Sequence, residues 1–305
     1  MEFCLGGLSG MCAGFFSNPF DVMKTRQQLQ GELMNAKDVK NRPYKNIFRA
    51  IQSIVIAEGW RGLQKGLSAQ LAFQFTLNST RLGIYQTLDD YGFLKRDGNE
   101  KISKFRCVAV GAFCGLMGAT TSCPFYMIKT QLQSQSDNAK YAVGYQHHHK
   151  GLIDGLKNIY TSNGLKGLWK GYSAIVPRNI VGSSVQLSTF SACKELLMRH
   201  EFFANSVFFT AITSSFATGF ITCIFMTPFD TAATRMFNQP LDAKGKGLLY
   251  RNIFDCFFKI AKTEGIIGGF YKGFGPNYLR IAPQHLLNLT FWEKFKELNR
   301  QFKQR

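Results

Sequence analysis

One hexapeptide pattern recurs three times along the chain. Pro19-Phe20-Asp21-Val22-Met23-Lys24 returns as Pro124-Phe125-Tyr126-Met127-Ile128-Lys129, and again as Pro228-Phe229-Asp230-Thr231-Ala232-Ala233. The spacings are 124 − 19 = 105 and 228 − 124 = 104 residues. A second pattern keeps the same interval: Glu58-Gly59, Asn163-Gly164 and Glu264-Gly265, followed by Lys65-Gly66, Lys170-Gly171 and Lys272-Gly273. Between the two, Tyr44-Lys45-Asn46-Ile47-Phe48 and Tyr250-Arg251-Asn252-Ile253-Phe254 each begin fourteen residues before their Glu. Solenoid units run about 20–50 residues, so this period is too long for a stacked array. Three copies of one unit fill the chain, over 1–95, 101–200 and 204–300, and the fold is expected to have approximate threefold symmetry.

Mean hydropathy is −0.10, which does not look like a membrane protein, but the local pattern does. Phe202 to Phe229 is 28 residues without a charge, Cys107 to Ile128 is 22, and Phe3 to Phe20 is 18. A span needs about 20 mostly apolar residues to cross the hydrocarbon core. Each unit carries a second, more polar candidate after its Lys-Gly: Gly66 to Tyr91, Gly171 to Met198 and Gly273 to Phe295. Polar groups at membrane depth are tolerated around a water-filled cavity. Two helices per unit predict six spans, with the polar ones lining a pathway. Amphipathic helices of a soluble bundle are the alternative, but the charge-free stretches are too long for ordinary core helices. Small residues stand thirteen and nine positions before each repeated proline, as Gly6/Gly10, Gly111/Gly115 and Ser215/Gly219. That spacing predicts close helix packing in lipid.

The formal net charge of +18 would point to nucleic acid in a soluble protein. Here the bases flank or enter predicted spans, and no nucleic-acid motif accompanies them. Basic flanks suit anionic headgroups, and basic residues within spans suit an anionic solute. The eight Cys fall mostly inside predicted spans with no metal spacing, and are read as reduced thiols. His147-His148-His149 lies in a loop with no Cys or acidic cluster beside it, so no metal site is expected. The first span begins at once, so neither a cleavable signal nor an Arg-rich presequence is expected. No nucleophile–base constellation or phosphate-cradling loop is present, so neither an enzyme nor a bound cofactor is expected.

The repeated P-x-[DE]-x-x-[KR], the trailing acid-Gly and Lys-Gly motifs and the three hundred-residue units together resemble the mitochondrial carrier family, over essentially the whole chain. The resemblance implies an all-α membrane protein of the inner mitochondrial membrane. Its six transmembrane helices, in three repeats, would surround a central cavity. Short helices near Tyr44–Ala57, Lys150–Thr161 and Asn252–Lys262 would lie on the matrix side. It also implies cardiolipin near the Lys-Gly helix starts, a monomer, and alternating access through two gates.

Proline within a helix removes a hydrogen bond and kinks the axis, so Pro19, Pro124 and Pro228 can draw three helix ends together. In the family, the acid of one odd-numbered helix meets the base of the next. Mapped here, Asp21 would meet Lys129 and Asp230 would meet Lys24, with Arg26, Gln131 and Arg235 bracing the ring from below. The third pair would be Tyr126 with Ala233, neither charged; losing both partners avoids an unpaired buried charge. Gln64, Asn163 and one extra residue between Gly265 and Tyr271 are further departures. The opposite, cytoplasmic gate is thin, with Asp89, Lys194, Glu293 and Lys296 as its charges and no partners assigned.

The family's contact points lie thirteen residues before that gate's acid positions: 86 − 13 = 73, 191 − 13 = 178 and 293 − 13 = 280. They are Phe73, Arg178 and Arg280. Arg178-Asn179 resembles carriers of keto acids and dicarboxylates. Arg81 lies two helical turns beyond Gln74 and can share its face. Three arginines can thus converge near the midplane, where guanidinium matches carboxylate or sulfate bidentately. Asn78, Gln186 and Asn288 are candidates for hydrogen bonds to substrate oxygens, and Phe73 for an apolar wall. Phe73-Gln74, Asn78, Arg81-Leu82-Gly83, Tyr126-Met127-Ile128-Lys129-Thr130 and Asn238-Gln239-Pro240 are similar to the oxaloacetate-carrier branch. The expected activity is transport of a small organic anion of the oxaloacetate, dicarboxylate, keto acid or sulfate class. An uncoupling-type proton or anion leak, and a non-transporting membrane adaptor, are the alternatives. The anion reading expects the three guanidinium groups to face the cavity rather than acidic neighbours.

Overall fold

A computed structural model describes residues 2–33, 42–93, 95–96, 99–102, 104–199, 207–242 and 246–303. Six long helices dominate it: α1 (Glu2–Leu29), α3 (Leu67–Asp90), α4 (Lys104–Ser134), α6 (Tyr172–Leu197), α7 (Val207–Asn238) and α9 (Phe274–Lys303). Three short ones, α2 (Ile47–Glu58), α5 (Leu152–Gly167) and α8 (Ile253–Glu264), join the two long helices of each repeat. The long helices pack in a closed ring, α1–α3–α4–α6–α7–α9 and back to α1. A small antiparallel ribbon, β1 (Lys95–Arg96) with β2 (Asn99–Ile102), occupies the connection between the first two repeats; the sequence gives no sign of it.

The two glycine motifs have one backbone reason. Gly59 and Gly265 end α2 and α8 at φ of 69° and 81°, Gly164 breaks α5 at 64°, and Gly66, Gly171 and Gly273 precede α3, α6 and α9 at 72°, 80° and 75°. Side-chain-bearing residues rarely adopt that region, so each repeat needs glycine at both corners. The extra residue of the third repeat is absorbed between those corners. Trp60–Gln64 forms a 3₁₀ turn in repeat 1, whereas Ile266–Phe270 widens to a π turn in repeat 3. Asn252 caps α8 by accepting from the Asp255 N–H at 2.9 Å.

The polarity of the bundle is inverted relative to a soluble protein. Phe15, Phe16, Phe113, Phe220 and Phe225 face outward, while Asn18, Asp21, Lys24, Ser122, Thr227 and Asp230 are buried. An outward apolar belt around a polar interior is what lipid as solvent demands. By composition alone, α4 and α7 are apolar enough to cross a membrane, over Val108–Ser134 and Ile212–Asn238. The other four long helices fall below that threshold.

Pro19, Pro124 and Pro228 lie inside α1, α4 and α7. Pro177 and Pro283, which sequence reasoning did not single out, lie inside α6 and α9. The small-residue pairs are where the two long helices of each repeat touch. A Cβ added at Gly10 would sit 2.9 Å from the Gln74 carbonyl oxygen. At Gly115 it would sit 2.6 Å from that of Asn179, and at Gly219 2.8 Å from the Ala282 Cβ. Gly115→Val should therefore force α4 and α6 apart and destabilise the fold by about 1–3 kcal/mol, the usual range for overpacking. Thermal unfolding in detergent checks it: an unchanged midpoint would mean the helices do not pack this closely.

Candidate functional site

α1, α4 and α7 meet one another toward the end bearing the short helices. There Asp21 pairs with Lys129 at 3.0 Å and Lys24 with Asp230 at 3.0 Å, so two sides of the ring are ionic. All four side chains are nearly inaccessible. Gln70, not anticipated, donates to Asp21 Oδ2 at 2.7 Å from one helical turn before Gln74. The third side is aromatic. Tyr126 packs edge-on between Phe73, at 5.1 Å, and Phe237, at 5.2 Å. Lys129 Nζ and Arg178 Cζ lie 5.3 and 4.9 Å from the Tyr126 ring centre. Cations at that distance are attracted to the ring face. Phe73 is thereby part of the ring, with its own Lys129 contact at 4.9 Å, as well as a wall of the space above.

Below the ring, the predicted braces tie the long helices to the short ones. Arg26 pairs with Glu58 at 2.8 Å and donates to the Gln133 and Gln135 carbonyls. Arg235 holds Glu264 by two bonds of 2.6 and 2.8 Å and donates to the Gln28 carbonyl. Burial works against ionisation of Glu264, but Arg235 and Lys272 outweigh it and hold the carboxyl below its usual range. The acids of the Glu-Gly motif are thus the counter-ions of the braces. In repeat 2 both members are replaced, by Gln131 and Asn163. Gln131 bonds instead to the Phe237 carbonyl at 3.1 Å and, through Oε1, to His149 Nε2 at 3.0 Å. His147, stacked 5.7 Å from His149, meets the Asn238 carbonyl at 3.1 Å. Burial pushes His147 down to about 4 and also lowers His149. The histidine loop therefore bridges repeats 2 and 3 as neutral imidazoles.

Directly above the ring lies a chamber of about 60 Å³, lined by Arg81, Arg178 and Arg280 from three even-numbered helices. Gln74, Asn78, Asn179, Gln186 and Asn288 line it too. The chamber brings the expected substrate residues together, but the arginines are not free as expected. Arg178 Nε contacts Asp230 Oδ1, and Arg280 lies 3.3 Å from Asp21 and 3.8 Å from Asp230. Long side chains reach the ring carboxylates one level below their own contact points. Among the described residues Arg81 meets no carboxylate: it donates to Gln186 Oε1 at 2.9 Å and to Asn78 Oδ1 at 3.4 Å. Asn78 and Asn288 are mostly engaged with each other, at 3.2 Å, with Gln74 and with Ser9, rather than turned to the open space. Asn179 accepts from Arg178 at 2.7 Å. Ser183, Thr222, Gln284 and His285 also line the chamber and were missed. The spacing of Arg280, Gln284 and Asn288, one turn apart on one face, was the available signal.

At the opposite end, where α1 begins and α9 ends, lie Asp89, Glu293 and Lys296; Lys296 donates to Gln86 at 3.3 Å and lies 3.9 Å from the Trp292 ring centre. Lys194 lies on α6, but its side chain is outside the described residues.

A three-repeat helical bundle with lipid-facing phenylalanines, a cation-rich chamber and an ionic ring closing one end defines a membrane solute carrier. The mitochondrial carrier protein family profile matches residues 1–95, 100–201 and 205–303, and the chain belongs to that family. It is 44% identical to human solute carrier family 25 member 35 over 299 residues, covering 98% of each chain. It is 38% identical to a mitochondrial oxaloacetate transport protein of Schizosaccharomyces pombe, over 98% of this chain and 91% of that one. It is 36% identical to mitochondrial citrate transporter E of Aspergillus niger, over 99% and 94%. Family membership places the chain in the inner mitochondrial membrane as a multi-pass carrier.

Two outcomes test the ring. Tyr126→Ala should cost about 3 kcal/mol or more, from lost aromatic burial and cation–π contact, whereas Tyr126→Phe should cost under about 1 kcal/mol. Thermal unfolding of both variants checks this, and equal losses would assign the effect to the hydroxyl. The histidine loop carries a pH sign. A His held near 4 when folded binds fewer protons than when unfolded, so its stabilisation is full above about pH 6.5 and drains as pH falls toward 4. Acidification from pH 7.5 to 5 should lower stability through His147 by about 1–2 kcal/mol. His147→Gln should flatten that part of the profile in thermal melts across pH.

Proposed function

We propose that this chain exchanges or co-transports small organic anions with two negative ends, of the oxaloacetate and dicarboxylate class, together with sulfate, by alternating access. The supporting observation is a charge excess. Lys24, Lys129, Arg81, Arg178 and Arg280 surround the ring and chamber, against the carboxylates Asp21 and Asp230. Five cations less two acids leaves three positive charges at mid-bundle. Intramembrane charge is costly unless function requires it, and an entering dianion would offset most of the excess. An adaptor with no solute would gain nothing from it. The relatives named for oxaloacetate and citrate transport are consistent with this class.

The ring and the chamber share their side chains, which gives a route from binding to opening. On this reading an incoming carboxylate competes with Asp230 for Arg178 and with Asp21 for Arg280. Each guanidinium drawn upward leaves its aspartate with one partner fewer, and the ring at the short-helix end, toward the matrix, weakens. Binding then favours the opposite state by the difference in contacts between the two, as any ligand-driven transition requires.

Purified protein in liposomes decides it. Saturable uptake of labelled oxaloacetate, malonate or sulfate is expected. Arg178→Ala or Arg280→Ala should lower it by about 30-fold or more, as expected for loss of a charge-assisted hydrogen-bonding group. Wild-type protein that moves none of these anions would refute the proposal, and a non-saturating current in their place would favour the leak.

A further inference from the structure

A second cavity, of about 70 Å³, lies further from the ring than the three-arginine chamber. Its walls include Tyr85 and Phe190, which are farther along α3 and α6 than the chamber residues, and Thr218, one turn before the chamber's Thr222 on α7. The two cavities share Arg81, Gln186, His285 and Asn288 as walls, so they adjoin. Arg81 is eight residues beyond Phe73 and so about 12 Å farther along α3. Arg178 and Arg280 reach down to the ring, whereas Arg81 meets only neutral amide oxygens at this upper level.

Among the described residues, Thr218 Oγ1 and Thr222 Oγ1, both only 1% exposed, have no hydrogen-bond partner, and neither has His285 Nδ1. Thr218 lines the upper cavity, Thr222 the lower, and His285 both. Buried hydroxyls and imidazoles are ordinarily satisfied, and a run of them along one passage marks where a polar ligand fits. Each cavity alone has room for only a few waters, so a two-ended anion has to lie across both.

We propose that Arg81, Thr218 and His285 form a separate upper docking station, which takes one carboxylate of a two-ended anion while Arg178 and Arg280 take the other. This deepens the transport reading above and rests on it. Arg81 supplies the charge, and Thr218 and His285 supply hydrogen bonds to the carboxylate or to an adjacent keto oxygen. A compact anion with a single centre of charge, such as sulfate, occupies the lower station alone.

Calorimetric titration of the purified protein in detergent with malonate and with sulfate tests the assignment. Arg81→Gln should weaken malonate by about tenfold or more while changing sulfate by less than about threefold. Thr218→Val should weaken malonate by about fivefold, and Thr218→Ser should behave as wild type. Arg81→Lys retains the charge and should fall between, which keeps the test open if Arg81→Gln does not fold. Equal losses for both anions, no loss for malonate, or wild-type protein that fails to bind malonate would each overturn the upper station. Failure of the transport reading shows separately, as wild-type protein in liposomes that takes up none of these anions.

Discussion

Two buried carboxylates, Asp21 and Asp230, hold this architecture together, because each is shared between a lysine beside it and an arginine above it. A carboxylate without partners in such a place costs several kcal/mol, and removing one member of a buried pair typically costs about 3–5 kcal/mol. α1 and α7 deliver the two aspartates to the ring, and α6 and α9 deliver Arg178 and Arg280 from above. The floor of the chamber and the ionic ring are consequently the same atoms. On the proposed function, a solute that engages either arginine changes the environment of a ring carboxylate, with no intervening relay.

Much of this could be read from the chain before any coordinates. The period near 105 residues, the prolines and the opposite charges three positions apart fix which helices converge and which pairs lie at the convergence. Asp21 with Lys129 and Lys24 with Asp230 needed only that mapping. The glycine corners were visible as motifs, although their cause, positive φ at both ends of a short turn, is a backbone property. What sequence did not disclose depends on side-chain reach. Arg178 is assigned to the chamber by its position, yet its guanidinium has length enough to contact Asp230 below, and no spacing rule separates the two. Tyr126 was legible as a missing acid but not as the centre of an aromatic column, since Phe73 and Phe237 come from helices whose rotation is set by packing. The bonding of Gln131 to His149 across a loop follows no period at all.

The losses of charge are not scattered. Tyr126 and Ala233 stand where the third ring pair would be, and Gln131 and Asn163 stand where the middle brace and its acid would be. In each case both partners have changed, which leaves no orphaned charge. Three of the four belong to repeat 2, and Ala233 belongs to repeat 3, which it adjoins. The vacated places are filled by neutral contacts: the Phe73–Tyr126–Phe237 column in the ring, and the histidine loop below it. Pseudo-threefold symmetry is therefore broken in one direction, with two ionic sides and one aromatic side.

That asymmetry bears on what the carrier can be opened by. Parting an ionic side requires each charge to find a new partner or water, while parting the aromatic side exposes apolar surface and asks for no counter-ion. Two ionic sides contain two aspartates, and two arginines rest on them. On the docking proposed above, one carboxylate of a two-ended anion draws Arg178 and Arg280 off both aspartates while Arg81 holds the other, and a compact dianion such as sulfate draws off both arginines from the lower station alone. A gate with three ionic sides would present a dianion with one pair more than it can displace. On this reading the missing third pair is matched to the charge number of the solute, and the uncharged Tyr126 and Ala233 set selectivity as directly as the arginines that touch the anion.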